Sequence, residues 1–482
     1  MSVLIRHNDY GSLDPPALGT WEPELTVSVV IPARNCQEGL ERTLASLAEQ
    51  TYPRDLMEVV VVDDGSDPPL RAEGARVVRV ANGWGRGAAR QAGADAASGQ
   101  VIHWLDSDMM LAEDHIEAHM RWHHLTPYVV VIGDVTFLTP EEVKPRYTAD
   151  MLESTRRLRD AGGSAYLLHT GATTSVRAAL LRAAGGVDAS LNMAEDTELG
   201  YRLAQAGAVF VPDEEARAWH VGESTVMRRQ QEVHRHNWSY LGDYIPDLRW
   251  LRGHPRRQWL VPYVMVVVEA GGYEETRASV DSALAGTVPD VAVTLVGPWS
   301  SLPGGRRECL DEPLLDLRLT RHLYTHEPRV RFAESPPASV APTPYLLRLP
   351  TGWSLGADTL ARLVRLAEAD TLGLVSVALA ETPEGVVTAR LERTAAFARA
   401  RFHDGRPDDV VDALFGSMWV SGEEYGFAAE PEPLAGDPAK WRAVAAERQK
   451  EIERLRAELE RLSARTPDSP LKALFRQLRS VG

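Results

Sequence analysis

The chain has 482 residues, with 52 Lys or Arg against 68 Asp or Glu, and its formal charge of −16 is too acidic for a nucleic-acid coat. With 44% hydrophobic and 25% charged residues, the composition is that of a globular protein long enough for two or three domains. Only Cys36 and Cys309 occur, so no disulfide framework or thiolate metal cage is expected; this fits a reducing cytoplasm and leaves metal binding to carboxylates and histidines.

Residues 1–25, punctuated by Pro15, Pro16, Gly19 and Pro23, read as an arm over the first domain. Met1–Gly11 has no apolar signal region, and the apolar runs Val129–Ile132 and Tyr263–Val268 fall far short of a bilayer span, so neither export nor a membrane crossing is expected. Val27–Ile31, stopped by Pro32, has the β-branching of a buried strand. Gly39–Gln50 carries Leu40, Leu44 and Leu47 at helical spacing, and Glu58–Val62 is a second strand ending in Asp63-Asp64-Gly65. Strand, helix, strand implies a parallel pair with a helical crossover. The pattern continues through strand Arg76–Val80, a Gly-rich helix start over Asn82–Asp95, and strand Val101–Leu105, which runs into Asp106-Ser107-Asp108. Ligands of open α/β sheets sit beyond the carboxyl ends of the strands, where Asp64 and Asp106 fall. His115, His119 and His123 share a helix face, but with no His-Glu-x-x-His and with Met120 and Trp122 alongside they read as packing rather than as a hydrolase centre. In Ala194–Leu203, Leu199 and Leu203 face the core and leave Glu195 and Asp196 at the helix start. Trp219-His220 follows a strand-like Ala208–Val211.

A second copy of the pattern follows. Tyr263–Val268 repeats the first strand, Ser282, Thr287 and Pro289 stand where Ser46, Thr51 and Pro53 stand earlier, and Val291–Gly297 mirrors Val59–Gly65. Leu349-Pro-Thr-Gly352 falls on Leu105-Asp-Ser-Asp108, in a register that also matches Leu355 to Leu111, Asp358 to Asp114 and Arg365 to Arg121. The copy has lost every acid of the motif, and Pro-rich Ser335–Pro344 replaces the Gly-rich helix start; it is expected to be a degenerate duplicate. Residues 429–436 read as a linker. The helix expected over 437–465 has Ile452, Leu455, Leu459 and Leu462 at a/d spacing, which fits either a short coiled coil in a homodimer or packing back onto the protein. The tail, 466–482, is basic and amphipathic, suited at most to weak contact with the inner face of a membrane.

Two carboxylates at a buried strand end cannot both stay ionised unless a cation joins them. Mg²⁺ or Mn²⁺ shared with substrate phosphates is the usual solution, so Asp106 and Asp108 predict a diphosphate ligand. Val29–Asn35, Val61–Ser66, Gly85–Arg90, Leu105–Asp108, Glu195-Asp196 and His220 together resemble, in order and spacing, family 2 inverting glycosyltransferases of the GT-A fold. They are nearest to the branch of bacterial chondroitin polymerases and polypeptide N-acetylgalactosaminyltransferases.

The resemblance covers about residues 26–255 and implies a catalytic, Rossmann-like GT-A domain there; the internal repeat then makes 256–428 a degenerate GT-A-like domain, expected to be non-catalytic. The resemblance also implies that Pro32, Arg34 and Asp64 line the uridine pocket, that Arg90 helps hold the nucleotide, and that Asp106 reaches the ribose or, through water, the metal. Asp108 and His220 would be direct metal ligands, Asp196 the base and Glu195 a shaper of the acceptor site. The expected activity is metal-dependent transfer of a hexosyl or N-acetylhexosaminyl group from a UDP-sugar, in the cytoplasm, to an acceptor that sequence leaves open. Gly171–Ser175 resembles a small-residue loop on the acceptor side, and Arg228 and Arg229 are candidates to close over the diphosphate. Leu191-Asn-Met-Ala194 replaces the aromatic-Gly-Gly usual in that branch, and Gln91 an Asn, so the donor sugar stays open. The rival readings are an NAD(P)-dependent oxidoreductase, from Gly83-x-Gly85-x-Gly87, and a non-catalytic carbohydrate-binding or scaffold protein. The first leaves Asp108, Glu195, Asp196 and His220 without a task, and the second leaves unexplained why the first half alone keeps its acids.

Overall fold

The computed structural model describes residues 3–429, apart from 140–141, 255–256, 305–309, 311 and 384, together with Lys450 and Arg454. The expected linker, C-terminal helix and basic tail lie outside the described residues except for Ala429, Lys450 and Arg454, as does Cys309.

Strands β1 (Val27–Ala33), β2 (Met57–Asp63), β3 (Arg76–Arg79), β4 (Val101–Leu105), β5 (Met109–Leu111), β6 (Val129–Leu138), β7 (Glu142–Val143), β8 (Thr173–Arg177) and β9 (Val209–Val221) form one mixed sheet. Its order is β3-β2-β1-β4-β8-β6-β9-β5, with β7 attached to β6. The first four run parallel, β8 is antiparallel to β4 and β6, β9 is parallel to β6, and β5 is antiparallel to β9. Val27, Val29 and Ile31 join one core, under the helices Gln37–Ala48 and His115–Leu125. Val30, Val60 and Val62 join another, under the helices Arg86–Ala96 and Glu195–Gln205. Burial on both faces explains why these strands are continuous apolar runs.

Two elements depart from the expected bounds. The Gly-rich helix starts only at Arg86, because Gly83 and Gly85 adopt φ of 77° and 91°, outside the range of a right-handed helix. Strand β9 runs on past Val211 to Val221, so His220 lies within the sheet.

The second half repeats the first. Strands β10 (Val264–Glu269), β11 (Val291–Val296), β12 (Val330–Ala333), β13 (Tyr345–Arg348), β14 (Trp353–Leu355), β15 (Leu374–Thr382), β16 (Gly385–Arg393), β17 (Ser417–Ser421) and β18 (Phe427–Ala429) include a seven-stranded sheet ordered β12-β11-β10-β13-β16-β15-β17. Its directions match those of β3-β2-β1-β4-β8-β6-β9 pair for pair. Connecting hydrogen bonds repeat as well: Thr51 N–H donates to Glu113 O and Thr287 N–H to Ala357 O, both at 2.8 Å. The described residues up to 429 thus form two α/β halves on one plan.

The N-terminal arm lies between the halves. Ile5 is fully buried, His7 N–H donates to Leu414 O, and Asn8 bonds to both Leu158 O and the backbone of Phe210. Arg399, on the helix Thr394–Ala400, donates to the carbonyls of Gly207, Ala208, Ile5 and His7. Burial lowers its guanidinium to about 10, and carbonyl dipoles substitute for a carboxylate partner.

Replacing Arg399 with Met strands these carbonyls and should cost about 3 kcal/mol in urea unfolding, with the halves beginning to unfold separately. His7 offers a second check. Burial, reinforced by Arg6 and Arg399, holds its imidazole down at about 4, so the folded state excludes a proton that the unfolded chain takes up near pH 6.5. Its contribution is present above pH 6.5 and is lost as the pH falls toward 4, at no more than about 1.4 kcal/mol per pH unit. The urea midpoint should therefore drop more steeply in wild type than in His7→Asn over that interval.

Candidate active site

The site forms where β4 ends. Asp106 N–H donates to Ala172 O, which anchors the turn to the entry of β8, and β5 starts immediately beyond Asp108. Because β5 pairs with β9 through Met109 opposite His220, and Val221 N–H donates to Asp108 O at 2.9 Å, the backbone sets Asp108 beside His220. Asp108 Oδ1 stands 3.4 Å from His220 Nε2. One ligating atom each from Asp106, Asp108 and His220 lies within 4.8 Å of the other two. His220 Nδ1 is 3.1 Å from Gly222 O, and a carbonyl can only accept, so Nδ1 carries a proton and Nε2 is the nitrogen turned toward Asp108. Burial raises the Asp108 carboxyl above its ordinary range; His220 opposes the shift and Asp106 reinforces it. These three side chains are a group that could hold a metal ion.

Arg90 lies beneath this cluster, its side chain 5% exposed, and ion-pairs with Asp106 at 3.0 Å and with Glu195. Burial opposes its charge, but the two carboxylates more than offset that and hold the guanidinium protonated. Arg90, which the resemblance put beside the nucleotide, thus fixes two acids. Glu195 likewise turns inward onto Arg90, and burial pushes its carboxyl up to about 7 against the attraction of Arg90.

Asp196, the next residue, is partly exposed. Its Oδ1 accepts from Thr197 N–H at 2.7 Å, and its main-chain carbonyl accepts from His169 Nδ1 at 2.7 Å. Ala194, at φ 64°, turns the chain sharply into that helix.

The remaining predicted residues are spread along the same edge. Asp64 is half-buried and accepts from Gly85 N–H at 2.8 Å, while Pro32 is half-buried and Arg34 exposed. Gly85 and Gly87 pack against the 188–192 loop: a Cβ on Gly85 would overlap Asn192, and one on Gly87 the carbonyls of Asp188 and Leu191. That contact explains the Gly-rich helix start without a dinucleotide. Gly171–Ser175, expected as an acceptor-side loop, is instead the entry and first half of β8, buried from Thr173 on. Gly171 is required there because a Cβ would overlap the Arg90 guanidinium. Arg228 and Arg229 are exposed, and Arg229 pairs with Glu232. His169 was not legible as a site residue, since it belongs to no spaced motif, and Gly171 was read only as part of an acceptor-side loop; their contacts with Asp196 and Arg90 show what each holds.

The family described as glycosyl transferase family 2 matches residues 28–182. The pre-mycofactocin glycosyltransferase of Mycobacterium tuberculosis is 30% identical over 196 residues, covering 38% of this chain and 40% of that protein. The glycosyltransferase AglE of Haloferax volcanii is 32% identical over 124 residues, 24% of this chain and 40% of its own. The chain thus spans about 40% of the length of these curated relatives. Among solved structures, the mannosyltransferase PcManGT of Pyrobaculum calidifontis, in complex with GDP-Man and Mn²⁺, aligns with a TM-score of 0.37 at 20% identity, covering 49% of this chain and 66% of that one.

Arg90→Met should destabilise the fold by about 3–5 kcal/mol, because it leaves Glu195 buried without its cation. Adding Glu195→Gln to that variant should recover part of the loss, read as the coupling term of a double-mutant cycle in thermal or urea unfolding.

Proposed function

With residues 28–182 matching the family described as glycosyl transferase family 2, we propose that the protein is a divalent-metal-dependent, inverting glycosyltransferase. It would move a sugar from a UDP-sugar to an acceptor hydroxyl by single displacement. The observation that carries this reading is the convergence of Asp106, Asp108 and His220 at the carboxyl end of the sheet. Arg90 ties that cluster to the Glu195-Asp196 helix start. The donor set, two hard carboxylate oxygens and one imidazole nitrogen with its far N–H already bonded, suits Mn²⁺ or Mg²⁺.

Asp108 and His220 would hold the ion, with Asp106 beside them. The ion would supply charge stabilisation to the leaving diphosphate. Asp64, at the end of β2, would face the base of the nucleotide, with Pro32 and Arg34 beside it at the end of β1. Asp196, partly exposed while its neighbour Glu195 is sunk on Arg90, is the carboxylate available to take the acceptor proton as the hydroxyl attacks the anomeric carbon. His169 and Thr197 hold it in place from behind.

The second half retains the scaffold with Leu349-Pro-Thr-Gly352 where the acids stand in the first, so we assign it acceptor handling or assembly rather than a second transfer. A UDP-sugar is favoured over other nucleotide sugars by the Asp64 position that the family resemblance places at the uracil edge. Among the described residues no helix is long and apolar enough to cross a membrane.

Thermal stabilisation by UDP should require Mn²⁺ or Mg²⁺ and vanish in Asp108→Ala. Asp196→Asn should keep that stabilisation while losing transfer by about 10²–10⁴-fold, the range of a positioned general base. A screen of nucleotide sugars that reads diphosphate release with and without Mn²⁺ identifies the donor; release of equal size in wild type and Asp108→Ala would refute the metal role.

A further inference from the structure

Behind β4, on the face away from Arg90, four histidines meet in the core. His103 lies on β4 three residues before Asp106, and His115, His119 and His123 descend one face of the helix His115–Leu125; all four have no exposed surface. Ring centroids of His103, His115 and His119 are 4.5–5.2 Å apart. One ring nitrogen of each lies within 4.8 Å of the others.

Proton bookkeeping singles the cluster out. His103 Nδ1 faces Trp104 O at 2.9 Å and His115 Nδ1 faces Arg217 O at 3.0 Å. Carbonyls only accept, so both Nδ1 atoms carry protons and both Nε2 atoms are bare in the neutral rings. Yet His103 Nε2 and His115 Nε2 point at each other across 3.1 Å. Two lone pairs at that distance repel unless something positive sits between them. Thr173 Oγ1 lies 2.9 Å from His115 Nε2 and 3.2 Å from His119 Nε2, but it has one proton and can satisfy only one of them. His119 Nδ1 faces Ser175 Oγ at 2.9 Å, an atom able to accept.

We propose that His103, His115 and His119 bind one structural transition-metal ion of the zinc class through their Nε2 atoms, with Thr173 next to the fourth position.

Two nitrogens about 2.05 Å from a tetrahedral zinc stand about 3.3 Å apart, close to the separation of the facing pair. Each Nδ1 is turned to a carbonyl or hydroxyl oxygen, the outer-shell arrangement that orients ligating imidazoles. A set of imidazole nitrogens selects the zinc and copper end of the first-row series over Mg²⁺ and Mn²⁺, so this site and the acidic one would sort different ions. A shared proton is the competing occupant. Burial holds the His115 imidazole down at about 4 and keeps those of His103 and His119 well below their ordinary value, with no carboxylate in the hydrogen-bonded ring of groups. A metal faces the same low-dielectric cost but takes three coordinate bonds from lone pairs that otherwise oppose one another. The ion would join β4, β8, the 115–125 helix and, through Arg217 O, β9, the elements that place Asp106, Asp108 and His220. It would take no part in transfer.

The test is metal analysis of the full chain produced in zinc-containing medium and dialysed against EDTA under native conditions. The expected result is about one zinc per chain in wild type and in Asp108→Ala/His220→Ala, released only on unfolding because the site is enclosed. His119→Ala should retain less than a tenth of that. Equal, substoichiometric zinc in wild type and His119→Ala overturns the proposal. Should that variant fail to fold, wild type refolded with Co²⁺ serves instead: the visible absorption of a tetrahedral nitrogen-ligated ion supports the site, and a colourless refolded protein overturns it. A proton shared between His103 and His115, seen by ¹⁵N NMR in metal-free chain whose melting temperature zinc does not raise, also overturns it.

Discussion

The candidate site depends on one buried cation. Arg90 enters from the 86–96 helix and meets Asp106 from the end of β4 and Glu195 from the start of the 195–205 helix, so three elements distant in sequence are held by one guanidinium. A charge this deep is tolerated only if carboxylates or oriented carbonyls compensate it, and a pair this deep tolerates the loss of neither partner. Gly171 shows how tightly the arrangement is packed, since even a methyl group there would occupy the space of the guanidinium. The adjacent acids differ in consequence. Glu195 is committed to Arg90, whereas Asp196 is partly exposed, its backbone carbonyl held by His169 and its carboxylate by Thr197.

The two halves separate what the fold requires from what the chemistry requires. Both keep the strand order, the strand directions and the bonds that join the first helix to the loop after the small strand. What differs is the strand end: Asp106-Ser107-Asp108 in the first half, Pro350-Thr351-Gly352 in the second. Nothing in the packing of β13 and β14 demanded acids there, so their presence after β4 needs an explanation beyond stability, and the proposed cation site is one. The arm and Arg399 then bind the halves through backbone carbonyls, a contact that couples them in folding without adding a charge to either site.

Strand ends and strand-borne residues were legible in the sequence because parallel βαβ units place the carboxyl ends of strands along one edge. Asp64, Asp106 and Asp108 could be assigned to that edge from apolar runs alone. The duplicate was legible for the same reason, since a shared register of Leu, Asp and Arg survives when the motif between them does not. Inward-facing polar contacts were not legible. Arg90, Glu195 and Gly171 look like surface or loop residues in a one-dimensional pattern, and only tertiary proximity reveals a buried ion pair with a glycine cut to fit it. β8 was missed because Thr173-Thr-Ser175 lacks the apolar signature of a core strand; its hydroxyls are buried against imidazoles instead of water. His103 was hidden in the opposite way, inside an apolar run where it reads as a stray polar residue.

That last pair of misreadings has a common physical cause. Polar groups enter a core only when they satisfy one another, so a buried Thr or Ser and a buried His are best read as halves of one network whose members lie on different elements. β8 supplies the hydroxyls, the 115–125 helix supplies imidazoles at one-turn spacing, and His103 supplies the ring that brings the network up against β4. Three residues further along that same strand, the chain emerges at Asp106. The polar core and the acidic edge are therefore two ends of one short segment. A rigid network behind β4 limits how far Asp106 and Asp108 can move, and a cation site made of hard carboxylates is only as selective as those positions are fixed.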